Sequence, residues 1–102
     1  MAAIPASDTV KEVDPEGWIR ATPERGRLWL AQTPQAFRTD ILTRAHRAAA
    51  RDGFVGTDDA VLVERLGERV YVVPSSPRNR KITTPEDLDW AEWVLSAGKA
   101  PR

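Results

Sequence analysis

Apolar positions recur along this chain with two periods, and the helical one is the clearer. Phe37, Ile41, Leu42, Ala45 and Ala49 fall at spacings of four, one, three and four, which places them on one stripe of a helix. Thr39 is the expected N-cap, Asp40 sits in the first turn, and Gly53 stands where a glycine in the left-handed region ends a helix. A second helix is expected from Thr57-Asp58-Asp59, a threonine cap followed by two acids at the positive end of the dipole. It continues through Ala60, Val61, Val63 and Leu66 and stops at Gly67. A third starts at Thr84-Pro85-Glu86-Asp87, with a hydroxyl cap, proline at the first position and an acid at the third that approximates a capping box. Leu88, Trp90, Ala91, Val94 and Leu95 form its apolar face, and Gly98 and Pro101 end the pattern.

The second period is that of strands. Ala3-Ile4-Pro5 reads as the end of a buried strand whose beginning is missing. Asp8–Val13 and Trp18–Thr22 form a hairpin around Asp14-Pro15-Glu16-Gly17, which fits a type I turn. Its apolar residues, Val10, Val13, Trp18 and Ile19, have little to bury themselves against, so the hairpin is expected to project as an arm that needs a partner surface. Pro23 to Gly26 is a turn. Arg27–Gln32 is a strand with Leu28 and Leu30 on one face and Trp29 and Ala31 on the other. Val70–Val73 is a continuous apolar run of the kind buried on both faces, and Lys81-Ile82 is a strand stub. Strands and helices therefore alternate after the arm, which predicts an α/β layer fold. Only two or three of the strands can lie in one sheet, so the pattern specifies part of a sheet.

Composition narrows the class. The 102 residues make one domain or a piece of one. Fifteen basic and fifteen acidic side chains cancel, which argues against a nucleic-acid partner. Cysteine is absent and histidine occurs once, so disulfides, thiolate zinc sites, cysteine nucleophiles and multi-histidine metal sites are excluded within this sequence. The sequence has no apolar run long enough for a membrane span, and MAAIPASDTV does not read as a secretory signal. The expectation is a soluble, cytoplasmic unit with no membrane partner. Arginine outnumbers lysine twelve to three, spread evenly, as GC-rich coding produces.

Anion-binding chemistry is the chemistry these residue types suggest. Thr33, Thr57 and Thr84 stand at or before expected helix starts, where free N–H groups hold phosphate or carboxylate; plain capping explains a threonine there equally. Lys81 lies on an apolar stub just before a helix and can act as a fixed point charge, or it is a surface lysine at a sheet edge. Arg25, beside Gly26, can fork around a phosphate or sit solvated in its turn. Arg78, Arg80 and Lys81 form a local basic cluster. Arg44, Arg47 and Arg51 read as a wet helix face, with Asp40 and Arg44 paired across one turn. His46 stands alone, without a metal or catalytic role. Trp18, Trp29, Trp90 and Trp93 read as core or interface. No Gly-rich phosphate loop, Ser-His-Asp set or paired carboxylates can be recognised. The residues alone suggest an anion-binding α/β fragment without identifying a reaction.

Four segments in series, AIPASDTVKEVD, TPERGRLWLAQTPQAF, TDDAVLVERLG and NRKITTPEDLDWAE, resemble the C-terminal half of the 2-C-methyl-D-erythritol 4-phosphate cytidylyltransferase family. The resemblance runs from Ile4 to about Leu95 and covers about half of such an enzyme. It implies the C-terminal part of a Rossmann-like nucleotidyltransferase fold, with residues 8–32 as β-arm and return strand and 33–98 as the remainder. It implies transfer of CMP from CTP to methylerythritol phosphate with Mg2+, release of pyrophosphate, a place in non-mevalonate isoprenoid biosynthesis, and a homodimer interlocked through the arm. Carried over residue by residue, Arg25, Thr57 and Lys81 would hold the acceptor's phosphate, with Lys81 the catalytic lysine. Thr33 would line that pocket, and Thr9 and Arg25 would reach the partner subunit's site. The family's Gly-rich CTP loop and its magnesium-holding acid have no counterpart in these residues, so the chain alone is expected to be inactive. The alternative is a non-catalytic dimerisation or binding module derived from the same fold.

Overall fold

In the computed structural model, which describes residues 1–98, a three-stranded sheet is ordered β4-β1-β5. Strand β1 is Ala2–Pro5, β4 is Trp29–Ala31 and β5 is Val73–Pro74. Ala3, Ile4 and Pro5 face Ala31, Leu30 and Trp29 antiparallel, and Ala2 and Ala3 face Val73 and Pro74 in parallel. The central position explains why Ala3 is fully buried while the edge residues Leu30 and Val73 stay half exposed. The expected run Val70–Val73 is corrected: only its last residue joins the sheet, and Tyr71 is 84% exposed. The run is apolar enough for a buried strand, yet β1 offers it a single neighbour at one edge. Lys81-Ile82 is likewise loop, not strand.

The hairpin forms as β2 (Glu12–Val13) and β3 (Ile19–Ala21), paired only with each other. Asp14 dictates its turn: its carboxylate accepts from the N–H groups of Glu16 and Trp18, its carbonyl accepts from Gly17, and Gly17 takes a φ of 95° that its missing Cβ permits. Arg20 is the extra residue where the register shifts. Val13, Trp18 and Ile19 are exposed, Trp18 by 75%.

Helix α1 (Thr39–Asp52) packs on α2 (Asp59–Arg65). The contact is made by Ala45 and Ala49 against Leu62 and Val63, with Phe37, Ile41, Leu42, Leu66 and Val70 around them. The two alanines let the helices approach closely, and this cluster is the main core. At the C-terminus of α1, Gly53 adopts φ 66°, and Phe54 N–H reaches back to the Ala49 carbonyl, closing a Schellman motif. Two expected caps move by one residue. Arg38 precedes α1 without a side-chain cap, so Thr39 is already helical. At α2 the cap is Asp58, whose Oδ1 accepts from Val61 N–H at 2.8 Å; aspartate outranks threonine there. The expected Asp40–Arg44 pair does not form: Asp40 meets Arg38, and Arg44 reaches Glu68.

Helix α3 (Pro85–Gly98) begins as its sequence predicts. Thr84 Oγ1 accepts from Asp87 N–H, and Asp87 accepts from Thr84 N–H, a reciprocal capping box. Its apolar face is not buried: Leu88, Trp93 and Leu95 are each more than half exposed. Of the tryptophans expected in core or interface, Trp18, Trp29 and Trp93 lie outside the core, and Trp90 lies under the Arg80 guanidinium at 5.1 Å. No described helix is long and apolar enough to cross a membrane.

Candidate functional site

A cavity of about 580 Å3 opens where the end of β4, the approach to α2 and the loop before α3 meet. Its size lies within the roughly 300–1,000 Å3 of small-molecule sites. Ile4 and Leu30 give it an apolar floor, and Thr33, Thr57 and Lys81 all line it. Three of the five expected site residues therefore converge from separate stretches of sequence. A second cavity of about 870 Å3 lies behind it, and the two share Thr33, Gln35, Thr57 and Asp58 as a wall.

Each of the three residues is delivered differently. Thr33 lies two residues after β4 and well ahead of α1, so no helix N-terminus operates there. Thr57 is released from capping because Asp58 does that work, and its side chain is left to the cavity. The two acids that follow it oppose an anion less than their charges suggest. Asp58 is engaged by Val61 N–H and by Gln35 Nε2 at 3.2 Å, and Asp59 is 2.9 Å from His46 Nε2. Lys81 is exposed and enters none of the ion pairs among the described residues. Its neighbour Arg80, in contrast, is bound to Asp87 at 2.6 Å. Lys81 is thus the uncommitted positive charge of this cavity.

Asp87 anchors the loop that carries Lys81. The Thr83 N–H and hydroxyl, with the Thr84 N–H, hydrogen-bond its carboxylate and hold it well below the usual carboxylate range. It is 7% exposed, and no buried polar side-chain atom among the described residues lacks a partner.

Thr9 and Arg25 do not join the cavity. Arg25 lies in a 3-10 turn, Arg25–Arg27, and its Nη1 donates to the Ser7 carbonyl at 3.0 Å. The guanidinium is therefore held at the base of the arm, close to the segment that bears Thr9. Both residues are exposed.

Three amide side chains were not singled out by the sequence. Gln35 Oε1 accepts from Ala60 N–H while its Nε2 donates to Asp58 and to the Gln32 carbonyl. Gln32 Nε2 donates to the Ser76 carbonyl. Asn79 Nδ2 lies 2.6 Å from the Thr33 carbonyl, 3.2 Å from Gln32 Oε1 and 3.3 Å from Ser75 Oγ. They tie the three segments of the cavity together. Their only sequence signal is position, within two or three residues of Thr33 or Lys81.

The uncommitted donors suit an anion: the Lys81 ammonium and the Thr33 and Thr57 hydroxyls. The cavity does not suit a metal. Asp58 is the acid of this wall and its oxygens are engaged, and the described residues hold no group of three or more His, Cys, Asp or Glu able to ligate an ion.

The family model for 2-C-methyl-D-erythritol 4-phosphate cytidylyltransferase matches residues 1–97. The enzyme of that name from Geotalea uraniireducens is 53% identical over 102 residues, all of this chain and 43% of its own length. That from Syntrophus aciditrophicus is 59% identical over 95 residues, 93% of this chain and 41% of its own. Among solved structures, 4-diphosphocytidyl-2C-methyl-D-erythritol synthase of Anaerococcus prevotii superposes with a TM-score of 0.84 at 35% identity, over 93% of this chain and 44% of that one. The Thermus thermophilus cytidylyltransferase gives 0.77 at 38% identity, over 93% and 47%. This chain spans less than half the length of these relatives, and its fold is part of the same mixed α/β nucleotidyltransferase architecture.

Proposed function

From the premise that this chain belongs to the 2-C-methyl-D-erythritol 4-phosphate cytidylyltransferase family, we propose that it supplies the acceptor side of CMP transfer. The acceptor would be methylerythritol phosphate and the donor CTP. The observation that carries this reading is the convergence of Thr33, Thr57 and Lys81 on one cavity, with Lys81 the uncommitted cation.

In this reading an oxygen of the acceptor's phosphate attacks the α-phosphorus of CTP. A new P–O bond forms, the bond to the bridging oxygen breaks, and pyrophosphate leaves. Such a reaction depends on positioning and on neutralising charge along the attack line. The Lys81 ammonium pairs with the incoming phosphate, and Thr33 and Thr57 donate to it through their hydroxyls. The CTP side and any Mg2+ would be held by residues outside these 102, since the acids here do not fit a metal. Thr9 and Arg25, at the base of the arm, would serve the site of a second subunit in a homodimer.

The test is kinetic, in an enzyme made by fusing the N-terminal part of the Geotalea uraniireducens relative to this chain. A charge-assisted contact is worth about 1.5–3 kcal/mol, or roughly 10- to 100-fold. Lys81→Met is expected to raise KM for methylerythritol phosphate by about that factor and to leave KM for CTP unchanged. An unchanged acceptor KM would remove Lys81 from the site.

A further inference from the structure

Asn79 lies two residues before Lys81, on a loop without regular structure between β5 and α3. Two anchors flank the lysine. On the far side, Thr83 and Thr84 are bound to Asp87. On the near side, Arg80 is bound to the same carboxylate and Asn79 is bound across the cavity mouth to Thr33. The Asp87 cluster fixes the loop to α3, which itself lies apart from the α1–α2 core. Asn79 and Gln32 are the side chains whose hydrogen bonds fix the loop to the sheet.

The orientation of the Asn79 amide is settled by chemistry. The Thr33 carbonyl can only accept, so the amide nitrogen must face it. The backbone on either side reinforces the arrangement, with Asn79 N–H donating to the Ser76 carbonyl and Arg78 N–H to Ser76 Oγ. The side-chain donor at Asn79 thus spans from the Lys81 loop to the main chain of Thr33, the residue on the opposite wall.

We infer that Asn79 is the positioning residue of this site: it sets the separation of the Lys81 ammonium from Thr33, and so the width of the phosphate seat. The inference rests on the reading of Lys81 and Thr33 as acceptor-binding residues. Asn79 touches no substrate in this role and acts through Lys81. Asn79→Asp keeps the shape but sets a carboxylate oxygen against the Thr33 carbonyl, so the loop must move away. Asn79→Ala removes the tie without repulsion.

A double-mutant cycle in the fused enzyme separates this role from a general structural one. Asn79→Ala is expected to raise acceptor KM about 5- to 20-fold, and Asn79→Asp more, with KM for CTP unchanged. In a Lys81→Met background Asn79→Ala is expected to add less than 2-fold, because there is no ammonium left to place. A purely structural asparagine would instead lower the active fraction, so that kcat falls at constant KM, and would cost the same factor in both backgrounds; either result overturns the inference. If Lys81→Met alone leaves the acceptor KM unchanged, the site reading itself fails, and that outcome is distinct from an Asn79 variant without effect beside an impaired Lys81 variant.

Discussion

Asp87 is nearly buried and ringed by donors, and it holds both the start of α3 and the Lys81 loop. Its carboxyl is held well below the usual range, chiefly by the Thr83 N–H. A depressed folded pKa stabilises fully above the ordinary aspartate value of about 4 and is lost as pH falls below it. Thermal midpoints recorded from pH 7 to pH 3 should therefore drop through the acid limb, and Asp87→Asn should flatten that limb. An equally steep drop in both proteins would contradict the assignment. Gly56 carries a second expectation at this scale. An added Cβ would lie 3.1 Å from Leu62 Cδ2 and 3.3 Å from the Asp58 carbonyl. Leu62 is in the core and cannot retreat freely. Gly56→Ala should cost about 1 kcal/mol and displace Thr57, read as a lower melting temperature together with weaker acceptor binding. Wild-type values for both would show the wall to be slack. Neither Gly56 nor Asn79 could be picked from the sequence, because what makes each matter is a contact across the fold rather than a local pattern.

Elements with a self-contained signal were legible, and those that need a neighbour were not. The stripe from Phe37 to Ala49, the Gly53 stop and the Thr84–Asp87 box specify their helices through contacts within a few residues, and all appear. Val70–Val73 reads as a buried strand only if something covers both faces, and Tyr71 is instead exposed. The shift of the α2 cap from Thr57 to Asp58 is one residue in sequence, and it leaves the threonine side chain to the cavity. Asp58→Ala should remove that cap, at about 1 kcal/mol. Val63→Ala, at a side chain 1% exposed, should cost about 2 kcal/mol through the cavity it leaves between α1 and α2. Denaturant unfolding of the fused enzyme measures both. A Val63 variant as stable as the parent would mean that the helix pair is not the core.

As a whole the chain has a radius of gyration of 17.4 Å, against about 13 Å for a compact chain of 100 residues. The hairpin pairs only with itself, and it and α3 leave large apolar residues exposed. The arm reading makes a prediction specific to a two-fold dimer. If Arg25 serves the partner's site and Lys81 its own, a mixed dimer of an Arg25→Ala subunit and a Lys81→Met subunit carries one intact site and one doubly impaired site. Mixing the two impaired fused enzymes should then restore activity. No recovery in a verified mixed dimer would place both residues in the site of one subunit. Residue type and position made Thr33, Thr57 and Lys81 anion-binding candidates, the resemblance joined them into one site, and the fold lines one cavity with all three. The sequence could not indicate the amides that link their segments, because Asn and Gln in loops are too common to stand out.

The most direct test of the central claim is calorimetric titration of methylerythritol phosphate into the fused enzyme and its Lys81→Met variant. The account predicts that the variant binds the acceptor at least about 10-fold more weakly, with CTP affinity unchanged. Equal acceptor affinity in the two folded proteins would contradict it.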